Sequence, residues 1–284
     1  MSNHKKLVLE AMKYKAPAII AHRGASGDAP ENTLAAFGLA KRVGAHGVEL
    51  DTHLSADGEI VVIHDYTLNR TARLPSGALL QSQASVADLT LGQLQCYDVG
   101  VWFSTAYAGE KIPTLEQAMD LIGPDMLLDI EIKADKGKPF RELALAMADF
   151  LHGYSKKHPV DNVMVSSFNP LALRAFAARA RQLNLKVPTG LLYGKESDVP
   201  WYLRRGEGRI AHNPDFMIPY FANLLDKRSL SAIGLFRKRP VFTYTVNDME
   251  IAKRLAQKNI SGIITNYPEK MLALNLRRPH AGRG

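Results

Sequence analysis

Short apolar runs rich in β-branched residues alternate along the chain with longer stretches in which apolar residues recur at helical spacing. The short runs predict strands at Ala18–Ala21, Gly47–Leu54, Ile60–His64, Met126–Ile132, Val163–Ser167, Thr189–Tyr193, Phe216–Pro219, Val241–Thr245 and Gly262–Thr265. The longer stretches predict helices at Thr33–Val43, Thr114–Leu121, Phe140–Lys156, Pro170–Arg181, Val199–Arg209, Arg228–Lys238 and Asp248–Gln257, with a final short helix from Pro268. Strands and helices that alternate in this way indicate βαβ units and a parallel sheet.

The number of these units favours a TIM (β/α)8 barrel. If Gly47–Leu54 and Ile60–His64 form one irregular second unit, eight strands remain, each followed by a helical segment. A doubly wound open sheet is disfavoured, because no G-x-G-x-x-G follows the first strand. We expect one domain over residues 1–284, with residues 66–112 as a small insertion between the second and third strands, since that stretch lacks a strong helical pattern.

The composition is that of an ordinary globular protein, with 46% hydrophobic and 23% charged residues, which excludes a disordered or collagen-like chain. Cys96 is the only cysteine, so neither an intrachain disulfide nor a cysteine-type zinc site is expected. No run reaches the roughly 18 apolar residues of a membrane helix, and Leu7–Leu9 is too short for the apolar core of a secretory signal. A cytoplasmic protein without an integral membrane segment is expected.

The charge balance indicates an anionic partner. The 36 Lys and Arg residues exceed the 28 Asp and Glu residues, which gives a formal net charge of +8. These positive residues are scattered in small clusters, and the chain has no long basic run, zinc finger, RNP motif or basic zipper. Nucleic-acid binding is therefore disfavoured, and an anionic small molecule is the expected partner. The sequence indicates no particular oligomeric state.

The active site of a parallel barrel lies at the carboxyl ends of its strands. The first strand runs into His22-Arg23-Gly24, which places an imidazole and a guanidinium at the barrel mouth. Pro30-Glu31-Asn32-Thr33 follows and is typical of a helix start, with Asn32 or Thr33 as the N-cap. On this interpretation Glu31 only complements the helix dipole.

Two later strands carry charged residues on one face. Glu49 and Asp51 alternate with apolar residues, and so do Asp129, Glu131 and Lys133, so the members of each set point the same way. Bare carboxylates buried together repel each other and need a positive partner. That partner is either a Lys or Arg side chain or a hard divalent cation bound by oxygen atoms. The third acidic strand position favours the cation.

A second histidine, His64, follows the apolar run 60–63, and Asp65 beside it either orients the ring or caps a turn. Two histidines, at least three carboxylates, an arginine and a lysine are thus expected together at the barrel mouth. A metal and cationic side chains stabilise charge on phosphoryl oxygens, and two histidines can exchange a proton. The pattern indicates phosphoryl chemistry, whereas the lack of a Walker loop and of G-x-S-x-G argues against a P-loop kinase and a serine hydrolase.

In order and spacing, these motifs resemble the glycerophosphodiester phosphodiesterase family over about residues 19–268. The matching segments are His22-Arg23-Gly24, Pro30-Glu31-Asn32-Thr33, Glu49-Leu50-Asp51, His64-Asp65, Glu131-Ile132-Lys133, Ser166-Ser167-Phe168, Thr243-Tyr244-Thr245-Val246-Asn247 and Gly262-Ile263-Ile264-Thr265-Asn266-Tyr267-Pro268. The resemblance implies a TIM barrel that hydrolyses glycerophosphodiesters to sn-glycerol 3-phosphate and an alcohol, with one divalent cation. Carboxylate ligands are compatible with Mg²⁺ or Ca²⁺, and also with Mn²⁺.

The resemblance also implies roles for individual residues. The implied metal ligands are Glu49, Asp51 and Glu131. The implied acid/base pair is His22 and His64, and the implied phosphate ligands are Arg23 and Lys133. The implied supporting residues are Glu31, Asp65, Tyr244 and Asn247. The first histidine is assigned as the general acid and the second as the general base.

The sequence departs from the family pattern late in the chain. The family commonly has Trp where Tyr244 stands and acidic residues where Ser261 and Asn266 stand. These positions lie at the seventh and eighth strands, away from the implied metal ligands. The departures leave the reaction class intact but put the pocket for the glycerol or the alcohol in question.

Three alternatives remain open at this point. A lysophospholipase D would use the same site, and an exposed apolar surface over Trp102, Phe103 and Tyr107 would favour it. Burial of these three rings in the core of the insertion is preferred. A catalytically silent barrel would need a damaged site, but none of the implied residues is missing. A basic nucleic-acid-binding protein would show strongly salt-dependent, sequence-independent DNA binding.

Overall fold

The computed structural model describes residues 16–134, 140–194, 204–225, 239–258 and 260–276. Within these ranges the strands are β1 Ala18–His22, β2 Gly47–Leu54, β3 Ile60–Val62, β4 Leu127–Ile132, β5 Val163–Ser167, β6 Thr189–Tyr193, β7 Phe216–Pro219, β8 Phe242–Thr243 and β9 Gly262–Thr265. Eight of them pair in parallel, in the order β7-β6-β5-β4-β2-β1-β9-β8. Parallel bridges from Met217 to Val241 and from Tyr220 to Tyr244 join β7 to β8, and the predicted TIM barrel is confirmed.

The irregular second unit is an antiparallel hairpin. β3 pairs with β2 from Thr52–Val62 to Leu54–Ile60, and the turn between them includes Gly58 with a φ of 84°. β3 stands beside the barrel path rather than in it. The predicted merging of the two runs into one unit is therefore confirmed, since only β2 takes a place in the barrel.

The described helices are α1 Leu34–Arg42, α2 Leu91–Leu94, α3 Leu115–Ile122, α4 Arg141–Tyr154, α5 Pro170–Gln182, α6 Phe221–Leu225, α7 Met249–Ala256 and α8 Pro268–Ala273. Thr33, rather than Asn32, caps α1, because its hydroxyl accepts a hydrogen bond from the Ala36 N–H. No helix among the described residues is long and apolar enough to cross a membrane.

The prediction of a helix at Val199–Arg209 is wrong where it can be compared with the structure. Residues 195–203 lie outside the described part, as does the whole of the predicted helix Arg228–Lys238. Residues 204–206 form a turn, and a 3-10 helix follows at Glu207–Ile210. Gly206 has a φ of 87°, a left-handed conformation that an α-helix does not contain, so the helical pattern is interrupted there.

Alternation along the strands divides the core into two layers. One set of side chains faces the barrel interior and forms an apolar layer that includes Ile20, Leu127, Met164, Phe216 and Phe242. The other set packs against the surrounding helices. On β1 the interior residue Ile20 precedes His22, and on β4 Leu127 precedes Asp129 and Glu131. The apolar layer therefore closes the amino-terminal part of the barrel, and the polar residues lie above it at the carboxyl end.

Residues 66–112, called here the 66–112 segment, lie between β3 and α3. Its buried apolar residues form one cluster together with Val61 and Ile63. These residues are Leu68, Ala72, Val86, Leu94, Val99 and Ile112. The segment contains α2 and two 3-10 helices, Val86–Asp88 and Thr105–Tyr107. It therefore packs around an apolar cluster of its own, continuous with the end of the β2–β3 hairpin.

The preferred burial of Trp102, Phe103 and Tyr107 inside this cluster is wrong. The three rings form an edge-to-face row, with centroid separations of 5.8 Å at both contacts, and each is half-buried at the surface. The Trp102 indole N–H donates to the Val99 carbonyl, and the Tyr107 hydroxyl donates to the Asp28 carbonyl, both at 2.9 Å. Trp and Tyr rings each carry one polar group that needs a hydrogen-bond partner, and here these two bonds hold the row at the surface.

Candidate active site

The strand register brings the sequence-predicted residues to one place. His22 aligns with Glu49 across the β1–β2 ladder, and Asp51 aligns with Glu131 across the β2–β4 ladder. Aligned residues of parallel strands point to the same side of a sheet. Their side chains therefore face the barrel interior at its carboxyl end, above the apolar layer.

Glu49, Asp51 and Glu131 form a buried acidic cluster. Each offers one oxygen, and these three oxygens lie within 4.8 Å of one another. Burial, reinforced by the neighbouring carboxylates, raises the pKa of Glu49 well above its usual range. Burial also raises the pKa of Glu131 to about 8. At Asp51 burial acts in the same direction, but the Arg23 guanidinium, other nearby positive groups and the Asn32 hydrogen bond together outweigh it and hold the pKa well below its usual range.

This cluster fits a divalent cation. Asp51 Oδ1 is buried without a hydrogen-bond partner, although the Lys133 ammonium lies 3.6 Å away from it and 3.2 Å from Glu131 Oε1. Converging carboxylate oxygens are the ligands that hard cations such as Mg²⁺ and Ca²⁺ prefer. A cation among them would also favour the charged form of each carboxylate, which burial alone opposes.

Arg23 is directed into the site by the backbone at the end of β1. Arg23 and Gly24 have φ values of 56° and 80°, and a Cβ on Gly24 would lie 2.7 Å from α1, so only glycine fits there. The turn directs the Arg23 backbone N–H to Glu49 Oε2 at 3.0 Å. The guanidinium lies 3.1 Å from Asp51 Oδ2 and donates to Glu31 Oε1 at 2.9 Å. Arg23 thus contacts two members of the acidic cluster.

Both histidines are held through Nδ1. His22 Nδ1 lies 2.7 Å from the Asn266 amide oxygen, and its Nε2 lies 3.9 Å from Glu49 Oε2. Burial, more than any neighbouring charge, lowers the pKa of His22 to about 3. His64 Nδ1 lies 2.6 Å from Asp65 Oδ1. The two rings therefore differ in their partners, an amide for the first and a carboxylate for the second.

Arg70, which the sequence did not single out, joins two of the predicted site residues. Its guanidinium donates to both Glu31 oxygens, at 2.9 and 2.6 Å, and to both Asp65 oxygens, at 2.5 and 3.2 Å. Glu31 therefore lies between Arg70 and Arg23 and is not part of the acidic cluster. Arg70 belongs to the 66–112 segment, where no strand end predicts its direction. Its position five residues after Asp65 is the one signal that could have drawn attention to it.

Three asparagines hold the loops around the site. The Asn32 amide donates to Asp51 Oδ2 at 2.8 Å, a role that the sequence did not indicate, since it offered Asn32 only as one of two possible helix caps. The Asn247 side-chain oxygen accepts from the Asn266 backbone N–H at 2.9 Å. Asn247 was predicted to support the site, and its contact here is with the loop that presents Asn266 to His22.

Tyr244, predicted to support the site, lies away from the acidic cluster in an aromatic group at the ends of β5, β7 and β8. Its ring centroid is 5.7 Å from that of Phe168 and 6.0 Å from that of Tyr220. Its hydroxyl donates to the Tyr193 carbonyl at 3.2 Å. Gly194 allows this packing, since a Cβ there would lie 2.4 Å from the Tyr220 Cβ. The barrel mouth thus has a charged side and an aromatic side.

Asp129 shares the interior face of β4 and aligns with Glu49, but it supplies no oxygen to the acidic cluster. It is 2% exposed and borders a small cavity together with Ile20, Met164 and Phe242. Burial raises its pKa to about 7. Asp129 therefore lies against the apolar layer, and the acidic cluster consists of the other three carboxylates.

This barrel and its charged mouth define a TIM-barrel hydrolase of phosphoric diesters. Residues 22–270 match the model of the glycerophosphoryl diester phosphodiesterase family, and the chain belongs to that family. A glycerophosphodiester phosphodiesterase of Caldanaerobacter subterraneus subsp. tengcongensis is 35% identical over 261 residues, which cover 90% of this chain and 96% of the relative. Both comparisons support glycerophosphodiester phosphodiesterase activity.

Solved structures agree with this assignment. An Oleispira antarctica phosphodiesterase in complex with the product sn-glycerol-3-phosphate matches with a TM-score of 0.73 and 28% identity, over 93% of this chain and 98% of that one. A glycerophosphodiester phosphodiesterase from Thermotoga maritima matches with a TM-score of 0.66 and 29% identity, over 91% and 98% of the two chains. The similarity therefore extends over nearly the whole length of each protein.

Proposed function

We propose that this enzyme hydrolyses glycerophosphodiesters to sn-glycerol 3-phosphate and a free alcohol, with His22 and His64 as the acid/base pair. The observation that carries the proposal is that three buried carboxylates and two imidazoles held through Nδ1 meet at one barrel mouth. The Oleispira antarctica phosphodiesterase was solved with sn-glycerol-3-phosphate as its product, which supports the same product here. The partner is then a small anionic molecule rather than a nucleic acid.

The cation in this proposal is Mg²⁺ or Ca²⁺, with Mn²⁺ also compatible, and Glu49, Asp51 and Glu131 would hold it. Bound there, it would supply Lewis-acid stabilisation of negative charge on the phosphoryl oxygens. Arg23 and Lys133 border the same carboxylates and add positive charge for the phosphate group.

The contacts support His22 as the general base and His64 as the general acid, the reverse of the assignment made from the sequence. If the His22 Nδ1–H donates to the Asn266 amide oxygen, the lone pair of its Nε2 is left toward the site, as a general base needs. The Asp65 carboxylate accepts from the His64 Nδ1–H, which leaves Nε2 as the nitrogen that would deliver a proton to the leaving alcohol, so we assign His64 as the general acid. The reversal rests on the contact between His22 Nδ1 and Asn266, two residues that only the folded barrel brings together.

Metal dependence tests the proposal most directly. The enzyme is treated with a chelator, dialysed, and assayed for glycerol 3-phosphate released from glycerophosphocholine before and after addition of each metal. We expect activity to disappear with the metal and to return with Mg²⁺ or Ca²⁺, and calorimetric titration of the chelated protein to show one binding site. Full activity after complete chelation would overturn the proposal.

A second candidate activity, lysophospholipase D, is favoured by one observation. The row of Trp102, Phe103 and Tyr107 is half-buried at the surface and contacts the β1–α1 loop through the Asp28 carbonyl. An acyl chain could lie along such a row beside the mouth. Trp102→Ala should then lower activity on lysophosphatidylcholine while leaving activity on glycerophosphocholine unchanged. Equal effects on the two substrates would remove this candidate.

A further inference from the structure

We propose that Arg70 is a positioning residue for the reaction, which fixes the His64 ring through Asp65 by tying Asp65 to Glu31. The 66–112 segment would then complete the active site. This inference rests on the proposed role of His64 in catalysis. It concerns a residue that touches neither the acidic cluster nor His64 directly.

Arg70, Glu31 and Asp65 form one rigid set of hydrogen bonds, called here the clamp. All three guanidinium nitrogens are engaged: Nη1 and Nη2 donate to the two oxygens of Glu31, and Nε and Nη2 donate to the two oxygens of Asp65. A planar guanidinium that meets two carboxylates in this way fixes both their distance and their orientation. A lysine ammonium offers the charge but not the planar geometry.

His64 needs such a clamp because it lies beyond the regular part of its strand. β3 ends at Val62, and the His64 side chain is 31% exposed. Its backbone carbonyl contacts His53 Nε2 at 3.0 Å, which fixes the main chain but not the ring. The Asp65 carboxylate is the contact that orients the imidazole, and Arg70 in turn orients that carboxylate.

The clamp is anchored at both ends. The Arg70 carbonyl accepts from the Arg73 guanidinium at 3.2 Å. The turn that contains Arg70 is closed by a hydrogen bond of 2.8 Å from the Ala72 N–H to the Leu68 carbonyl. Leu68 is fully buried in the cluster of the 66–112 segment. At the other end, Glu31 is held by Arg23 at 2.9 Å. The position of His64 thus depends on the packing of a segment outside the barrel.

The test compares Arg70→Gln with wild type on substrates that differ in leaving group. On glycerophosphocholine, kcat should fall about 10-fold to 10²-fold, the scale of a slightly misplaced catalytic group, with little change in KM. A p-nitrophenyl phosphodiester, whose leaving group needs little acid assistance, should be hydrolysed at a rate close to that of wild type. In Arg70→Ala, millimolar guanidinium should restore part of the rate, whereas Arg70→Lys should stay impaired.

Two controls separate positioning from structural support. Lys111→Gln changes another cation of the 66–112 segment, whose ammonium donates to the Tyr97 carbonyl, and its leaving-group dependence should match that of wild type. Arg70→Gln in a His64→Ala background should add little to the loss caused by His64→Ala alone, because Arg70 acts through His64.

The outcomes distinguish this inference from the proposed function. If His64→Ala is impaired but Arg70→Gln is not, or if the two losses multiply in the double variant, the positioning role of Arg70 is overturned and the two-histidine proposal survives. If His64→Ala keeps the native rate on glycerophosphocholine, the two-histidine proposal itself fails. A loss in Arg70→Gln that is equal for both leaving groups, together with no rescue of Arg70→Ala by guanidinium, would show that Arg70 supports the fold only.

Discussion

The charged and aromatic sides of the barrel mouth are built in opposite ways. On the charged side, β2 and β4 supply buried carboxylates that are joined to cations by short contacts. On the aromatic side, β5, β7 and β8 end in rings that pack edge to face, and the Tyr244 hydroxyl bonds to a backbone carbonyl. From this difference we expect charge stabilisation and substrate shape to depend on separate strands. Substitutions on the two sides should therefore change different kinetic quantities.

The largest effect should follow from removing one carboxylate of the charged side. Glu49→Gln should lower the affinity for the cation, and activity should fall about 10³-fold, since metal stabilisation of phosphoryl charge contributes several kcal/mol. Calorimetric titration and glycerol 3-phosphate release measure the two quantities. Glu59→Gln, on the exposed β2–β3 turn, is the matched control. A Glu49→Gln enzyme with native metal affinity would contradict the assignment of the acidic cluster.

The next largest effect concerns the histidines. His22→Ala and His64→Ala should each lower kcat on glycerophosphocholine about 10²-fold or more, the usual scale for general acid–base catalysis. The double variant should lose less than the product of the two, because the rings act as a unit. A p-nitrophenyl diester should restore the rate of His64→Ala but not that of His22→Ala. Restoration of the other variant would instead support the order first expected from the sequence.

A smaller effect, of about 10-fold at most, should come from the aromatic side. Phe168→Leu should change the ratio of kcat/KM between glycerophosphocholine and glycerophosphoethanolamine, because the ring borders the part of the mouth away from the acidic cluster. Cation affinity should stay at the wild-type value. Phe150→Leu, on α4 beside Tyr154, serves as the control. If cation affinity changed and the substrate ratio did not, the separation of the two sides would be wrong.

The smallest effect should come from the overall charge. With a net charge of +8 and cations at the mouth, raising the ionic strength should lower kcat/KM a few-fold while kcat changes less, since salt screens the capture of an anionic substrate. Initial rates from low to high salt, with the metal concentration held constant, measure both quantities. A kcat/KM that stays flat over this range would argue against electrostatic steering.

The charged side could be predicted from the sequence because strand alternation fixes where its residues point. Glu49, Asp51 and Glu131 each occupy an inward position of a strand, so the period of two was enough to place them together. Arg70 could not be predicted in the same way, because it lies in a loop region whose path depends on the packing of its own apolar cluster. The Asn266 contact of His22 depends on two chain ends that meet only when the barrel closes.

The aromatic side was equally hard to predict, for a different reason. Phe168, Tyr220 and Tyr244 directly follow three strands, and only the closed sheet brings the ends of those strands together. In a sequence, an aromatic residue at a strand end is indistinguishable from one in the core. The half-buried row of Trp102, Phe103 and Tyr107 shows the same limit, because apolar character predicts burial and does not reveal a hydrogen bond that holds a ring at the surface.

The parallel pairing of β1 with β9, which aligns Ala18 with Gly262, has a consequence for the order of folding. Asn266, the partner of His22 Nδ1, lies 244 positions further along the chain. Such long-range pairing slows folding because a large loop must close before the contact is gained. The acidic cluster, by contrast, comes entirely from the first half of the sequence. During synthesis His22 therefore gains this contact only after β9, the last of the described strands, has been made. A refolding enzyme should recover its helical signal before it recovers turnover.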